Sequence, residues 1–144
     1  MKTSAVGVEL IKRFEGFRYK SYLCSAGVCT IGYGHTKNVK PLQTITHEQA
    51  LKYLAEDISE VEKSLDKLVT VELKQNEYDA LVSFVFNVGV GAFSKSTLLR
   101  KLNAGDLKSV PNEMRKWVYA GGRMLDGLVK RRNAEADLFI KQEE

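Results

Sequence analysis

The stretch FEGFRYKSYLCSAGVCTIGYGHT, residues 14–36, decides the fold because its pattern changes at Gly16. Upstream of this glycine, apolar residues recur every three or four positions, which predicts an N-terminal helix over residues 4–14. Downstream, aromatic and β-branched residues are grouped in two short segments, 17–23 and 28–33, as is typical of strands. The sequence therefore predicts a short helix followed directly by an antiparallel β-hairpin.

The predicted loop of this hairpin consists of Ser25, Ala26 and Gly27, because small residues and glycine favour a tight turn. A third short strand is predicted near residues 36–39 and would complete a small sheet. These segments together form a predicted sheet lobe of about residues 15–45.

Most of the remaining chain has the apolar periodicity of helices. The residues THEQ, from Thr46 to Gln49, form a capping box that opens a long helix, predicted over about residues 46–65. Residues 75–88 are apolar nearly all round, which indicates a helix buried at the centre of a helical lobe. Further helices are predicted over residues 96–102, 111–117 and 128–141.

These elements predict an α+β fold in a single domain, residues 1–144. The long helix would join the sheet lobe to an all-α lobe, residues 70–144, against which the N-terminal helix also packs. Because two lobes on one chain leave a groove between them, we expect an active-site cleft there.

The apolar and charged fractions are typical of an ordinary soluble protein, and the net charge is weakly positive. A net charge of +4 and a pI near 9.0 favour anionic polymers but identify none of them. Nucleic acid is not expected, because basic stripes interleaved with aromatic residues are missing from the sequence. The chain enters a helical pattern at once, and its longest apolar run, residues 80–93, contains polar residues and glycines. We therefore expect neither a signal peptide nor a transmembrane segment.

Glu15 is the only acidic residue of the opening stretch and is flanked by Phe14 and Phe17. It lies at the end of the predicted helix, where the macrodipole disfavours negative charge, and the aromatic rings would exclude water. Both effects favour the protonated form of the carboxyl group, which can then act as a general acid. Thr30, on the second predicted strand, could hold a water molecule by hydrogen bonding.

Cys24 and Cys29 are the only cysteines of the chain. Together with the only histidines, His35 and His47, they show no spacing typical of a metal site, so no metal is expected. Residue chemistry leaves three roles open for Cys24: a reacting thiolate, a bystander, or a redox switch. The switch would need a disulfide to Cys29, which flanks the other side of the predicted loop and could be a cross-strand neighbour. Cys29 as a small buried strand residue is the simpler alternative.

The order Glu15, eight residues, Cys24, five residues, Thr30, followed by IGYGHT, resembles the motif of the phage-type lysozymes, or endolysins. The family motif has Glu, eight residues, Asp or Cys, five residues, and Thr. Four further segments match the family in the same order: ITHEQALKYLAEDI, QNEYDALVSFVFNVG, AFSKSTLLRKLNAGD and GLVKRRNAEADLF. The resemblance therefore extends over the whole chain.

This resemblance implies a lysozyme-like fold and hydrolysis of the β-1,4 bond between N-acetylmuramic acid and N-acetylglucosamine in bacterial peptidoglycan, which lyses the host cell. By position, it implies that Glu15 is the general acid, that Cys24 occupies the second catalytic position and that Thr30 helps to place the water. Cys24 departs from the commoner Asp form. Because a thiol has a reference pKa near 8.5 and is mostly neutral at pH 7, we expect a modest catalytic role for it.

The resemblance also implies roles outside the catalytic motif. His35 and Asp57 match a structural pair that links the sheet to the long helix. Phe86 and Asn87 match positions that contact sugar in the cleft, although a core Phe and a helix-capping Asn fit the pattern equally well. Arg131 belongs to a basic stretch that could hold the peptide stem or a saccharide carboxylate near the cleft.

As partners, the resemblance implies bacterial peptidoglycan, no cofactor and a monomeric enzyme. The enzyme would be made in the host cytoplasm and act in the periplasm after release by a holin. Two other functions stay open: a non-catalytic peptidoglycan-binding module of lysozyme shape, and an enzyme for a related polysaccharide such as chitin. The complete Glu–Cys–Thr set disfavours the first of these.

Overall fold

The structure, a computed structural model, describes residues 1–24 and 27–142. Its helices are α1 (Ala5–Glu15), α2 (His47–Leu68), α3 (Gln75–Val88), α4 (Val90–Ser94), α5 (Thr97–Asn103), α6 (Val110–Arg115) and α7 (Asp126–Ile140), with a 3-10 turn at Leu107–Ser109. Its strands are β1 (Arg18–Leu23), β2 (Cys29–Gly32), β3 (Tyr119–Ala120) and β4 (Arg123–Met124). The predicted loop residues Ser25 and Ala26 lie outside the described residues.

The predicted α+β architecture is confirmed: strands β1 and β2 form an antiparallel hairpin beside a helical body. Directly paired residues include Tyr22 with Thr30 and Leu23 with Cys29, and the register shifts between Arg18 and Tyr22. Strand β2 packs against α2. The hairpin is therefore fixed to the longest helix.

The predicted third strand is wrong, because residues 36–39 are described and form no strand. Asn38 has φ of 55°, a left-handed conformation that interrupts an extended run. The backbone returns to β1 later, where Ser21 N donates to Gln43 O at 2.8 Å and Ile45 N donates to Tyr19 O at 2.8 Å. The third extended segment thus lies several residues further along the chain than expected.

Helix α2 begins as the capping box predicts. Gln49 N donates to Thr46 Oγ1 at 3.1 Å, and Thr46 N donates to Gln49 Oε1 at 3.0 Å. Helix α3 is the buried centre of the molecule and packs against α1, α2 and α7. The elements that the sequence pattern missed are the short helix α4 and the two-residue strands β3 and β4.

The first four residues attach α1 to the helical body. Ser4 N donates to Asp79 Oδ1 at 2.9 Å, and the hydroxyl group of Ser4 also bonds to Asp79. Thr3 N and Thr3 Oγ1 donate to Glu62 Oε2 at 2.7 and 2.9 Å. Because both carboxylates are buried, these bonds fix the start of α1, and its C-terminal residue, Glu15, is directed between the hairpin and α7.

Among the helices of residues 1–24 and 27–142, none is both long enough and apolar enough to cross a membrane.

Candidate active site

A cleft of about 560 Å³ lies between the β1–β2 hairpin and the helical body. The three residues with predicted catalytic roles, Glu15, Cys24 and Thr30, all line it. Further lining residues are Tyr22, Gly34, Thr36, Phe86, Asn87, Val88, Trp117, Tyr119, Ala120, Leu128 and Arg132. The helix end and the hairpin of the opening stretch therefore contribute to one site.

Strand register explains why Cys24 and Thr30 share the cleft. Tyr22 is directly opposite Thr30, and Cys24 N donates to Val28 O at 3.0 Å. Since side chains alternate along a strand and paired residues share a face, these pairs direct Tyr22, Cys24 and Thr30 to the same face. Thr30 is buried, and its hydroxyl donates to Val28 O at 2.9 Å.

The carboxylate of Glu15 binds the guanidinium of Arg131, with 2.5 Å between Glu15 Oε2 and Arg131 Nη1. The Arg131 side chain is only 4% exposed, and its Nη2 donates to Ser83 O at 3.0 Å. The expectation that Arg131 holds a peptide stem or saccharide is therefore corrected, because its donors are directed to protein groups inside the fold.

Glu135 is fully buried and joins Arg131 to Arg132. Its Oε2 accepts from Arg131 Nε at 3.1 Å and from Ser83 Oγ at 2.5 Å, while its Oε1 binds Arg132. Arg132 in turn binds the side-chain oxygen of Asn87. Burial lowers the pKa of Arg132, and the charge of Glu135 opposes that shift. Asn87, which we expected to contact sugar, thus lines the cleft while its side chain is held by Arg132. Phe86, the other expected contact, is half-buried and lines the same cleft.

Gly34 leaves the space that the Glu15 carboxyl group occupies. A Cβ atom at this position would lie 2.5 Å from Glu15 Oε1, closer than any van der Waals contact allows. The backbone of Gly34 also has φ of 75°, which side-chain-bearing residues rarely adopt. Both facts explain why the second glycine of the motif IGYGHT, Gly34, cannot be replaced by a larger residue without strain.

His35 Nδ1 lies 2.8 Å from Asp57 Oδ2, and the His35 ring stacks on Tyr53 with centroids 4.3 Å apart. Burial raises the pKa of Asp57, and the hydrogen bond with His35 opposes this rise. Neither residue of the pair is among the described residues that line the cleft. The contact joins the end of the hairpin region to α2, so a structural role remains our assignment for it.

Cys24 and Cys29 are not directly opposite each other in the strand register. Strand register pairs Cys29 with Leu23, whereas Cys24 bonds to Val28. Adjacent positions in the ladder point to opposite faces, so Cys29 faces away from the cleft that Cys24 lines. A disulfide between the two cysteines, and the thiol switch that it would create, therefore stay predictions.

Comparison with known proteins agrees with this geometry. The family model described as phage lysozyme matches residues 12–135. The chain belongs to the phage lysozyme family. The endolysin of Acyrthosiphon pisum secondary endosymbiont phage 1 is 50% identical over 143 residues, covering 96% of this chain and 98% of that protein.

Solved structures with the same fold also match this chain. The muramidase domain of SpmX from Asticaccaulis excentricus superposes with a TM-score of 0.89 at 38% identity, over 98% of this chain and 99% of that one. The endolysin from Escherichia coli O157:H7 phage FAHEc1 gives a TM-score of 0.85 at 38% identity, over 97% and 94%. The resemblance inferred from the motifs is therefore confirmed at the level of family and fold.

Within this phage lysozyme site, sequence reasoning missed Tyr22 and Tyr119. Tyr22 stands two residues before Cys24, so strand alternation could have placed it in the cleft. Burial raises the pKa of Tyr22, and the negative charge of Glu15 adds to the rise. Tyr22 is thus a neutral phenol beside the acid. Tyr119 lies on a strand too short for any sequence pattern to reveal.

Proposed function

We propose that this chain is a lysozyme that hydrolyses the β-1,4 bond between N-acetylmuramic acid and N-acetylglucosamine in bacterial peptidoglycan. The observation that carries the proposal is the presence of Glu15, Cys24 and Thr30 around one cleft in a phage lysozyme. Relatives named endolysin and muramidase domain support the same reaction class. The non-catalytic alternative is disfavoured, because all three residues with proposed roles in the reaction line the cleft.

Glu15 acts as the general acid in this proposal. Its proton moves to the oxygen of the leaving sugar as the glycosidic C–O bond breaks. Arg131 donates to Oε2, so the transferable proton is carried by Oε1. The guanidinium then stabilises the carboxylate that proton transfer creates.

Thr30 and Cys24 prepare the water that attacks the anomeric carbon. The hydroxyl hydrogen of Thr30 is used by Val28 O, so its lone pairs remain to accept a hydrogen bond from that water. Cys24 lies on the same strand face. In its thiolate form, Cys24 accepts the water's proton as the water oxygen bonds to the anomeric carbon. In its thiol form it only hydrogen-bonds to the water, whose proton then passes to solvent, so the contribution of Cys24 is modest.

The phage endolysins among the relatives support a role in host lysis. We extend the proposal to a monomer that reaches the periplasm through a holin pore. Producing the chain in bacteria with and without a co-expressed holin tests this step: rapid loss of culture turbidity is expected only with the holin. Equal lysis without it would contradict holin dependence while leaving the enzymatic proposal intact.

The enzymatic proposal is tested by incubating purified protein with peptidoglycan and measuring new reducing ends. Glu15→Gln removes the transferable proton and is expected to lower the rate by about 100-fold or more. Glu9→Gln, an exposed acid on the same helix, is the matched control and should retain the wild-type rate. No release by the wild-type protein would overturn the proposal, and equal release from chitin would contradict the assigned substrate.

A further inference from the structure

The β3–β4 hairpin, residues 119–124, forms one rim of the cleft and has no part in the reaction described above. Its strands pair Tyr119 with Met124. At its tip, Gly121 and Gly122 have φ of 59° and 77°. Two successive positive φ values are the pattern of a type I′ turn, whose twist matches that of paired strands. Tyr119 is therefore presented by a short and well-defined element.

Tyr119 lines the cleft that contains Glu15, yet it is 61% exposed. None of the ring contacts among the described residues involves it. Trp117, two residues earlier, instead packs edge-on against Phe84 with ring centroids 5.6 Å apart. An aromatic ring left in water on a cleft wall gains free energy when a flat apolar surface covers it. Tyr119 is thus suited to a ligand in a way that Trp117 is not.

The base of this hairpin is attached to the side chains that hold the acid. Trp117 O accepts from Arg132 Nε at 2.9 Å. Arg132 binds Glu135, which binds Arg131, whose other side holds Glu15. Because one buried network supports both, the tyrosine rim and the reacting carboxyl group have a fixed spatial relation. A ligand in contact with Tyr119 is therefore held in register with the acid.

We propose that the ring of Tyr119 is a stacking platform for an N-acetylhexosamine unit of the glycan strand, next to the sugars of the cleaved bond. This inference rests on the proposed hydrolysis of glycan. One face of a pyranose ring presents C–H bonds, and that face can cover the apolar ring of a tyrosine while the phenol hydroxyl stays in water. The glycan rather than its peptide stem is the occupant, since the glycan must run along this wall to reach Glu15.

The test measures KM and kcat on a soluble oligosaccharide of alternating N-acetylglucosamine and N-acetylmuramic acid. Tyr119→Ala is expected to raise KM roughly three- to tenfold, the loss of one stacking contact, with kcat nearly unchanged. Tyr119→Trp keeps an aromatic face and should keep KM near the wild-type value. Tyr119→Leu keeps apolar bulk without a ring face, so it should raise KM as alanine does.

The matched control is Tyr19→Ala. Tyr19 is 63% exposed, similar to Tyr119, but is not among the described residues that line the cleft. The Tyr19→Ala enzyme should therefore keep the wild-type KM. An unchanged KM for Tyr119→Ala and Tyr119→Leu in an active enzyme would overturn the stacking platform alone. A drop in kcat at constant KM would overturn it as well, because it would indicate a role in positioning the acid. Inactivity of the wild-type enzyme would instead overturn the proposed hydrolysis.

Discussion

At the scale of single residues, the backbone of Gly34 limits what can stand beside the acid. Its φ is 75°, and a Cβ atom added to it would lie 2.5 Å from Glu15 Oε1, so there is no room for a side chain. The oxygen concerned is the one that we expect to carry the transferable proton. The position of the Glu15 carboxyl group therefore depends on a residue that contributes no functional group.

Gly34→Ala is expected to displace the Glu15 carboxyl group and to lower the rate of reducing-end release by about 100-fold, since small misplacements of reacting groups are costly. The unfavourable φ should also lower the free energy of unfolding by about 1–3 kcal/mol. Gly91→Ala is the control, because Gly91 lies in helix α4 with open space around it. It should be fully active and about 1 kcal/mol more stable. A fully active Gly34→Ala enzyme would contradict this account.

Sequence reasoning at this scale found the residues that stand close together in the chain. Glu15, Cys24 and Thr30 belong to one motif, and strand alternation brings the last two to one face. It could not identify Arg131 as the partner of Glu15, because nothing local relates positions so far apart. A basic residue on a helix is usually solvated, and only the fold shows that this one is buried.

At the scale of elements, the sequence predicts the long helices well: α3 has the predicted bounds, and α2 continues three residues beyond its predicted end. Its start has a capping box, in which Thr46 and Gln49 satisfy each other's backbone donors. The shortest helix and the shortest strands were not predicted. Helix α4 has five residues and strands β3 and β4 have two each, too few for a hydrophobic period to be recognised.

Thr46→Ala is expected to lower the free energy of unfolding by about 1 kcal/mol, because it removes the acceptor for Gln49 N. Thr70→Ala changes an exposed threonine just beyond the end of the same helix and should have a far smaller effect. Urea unfolding followed by circular dichroism measures both. Equal stabilities for the two variants would contradict an energetic role for the cap.

At the scale of the whole molecule, the N-terminal residues close the fold by binding carboxylates on two other helices. Asp79 is 1% exposed and accepts hydrogen bonds from Ser4 and from Gln75 Nε2 at 2.9 Å. Glu62, on α2, is satisfied in the same way by Thr3. The start of the chain therefore connects α1, α2 and α3, and with them the base of the cleft.

Ser4→Ala is expected to lower the free energy of unfolding by about 1–3 kcal/mol, because a buried carboxylate loses one of its donors. Ser64→Ala is the control, since that hydroxyl only donates to Glu60 O within α2, and its stability should stay near wild type. Thermal unfolding at neutral pH compares the two. If Ser4→Ala proved as stable as Ser64→Ala, the N-terminal attachment would be energetically irrelevant.

The contact between Glu15 and Arg131 joins residues 116 positions apart in the chain. Because synthesis runs from the N-terminus, α1 leaves the ribosome well before α7. A chain that terminates before α7 carries the carboxyl group but lacks both the guanidinium and the support of the tyrosine rim. A nascent chain therefore cannot assemble the ion pair of Glu15 until α7 has been synthesised and has folded against α3.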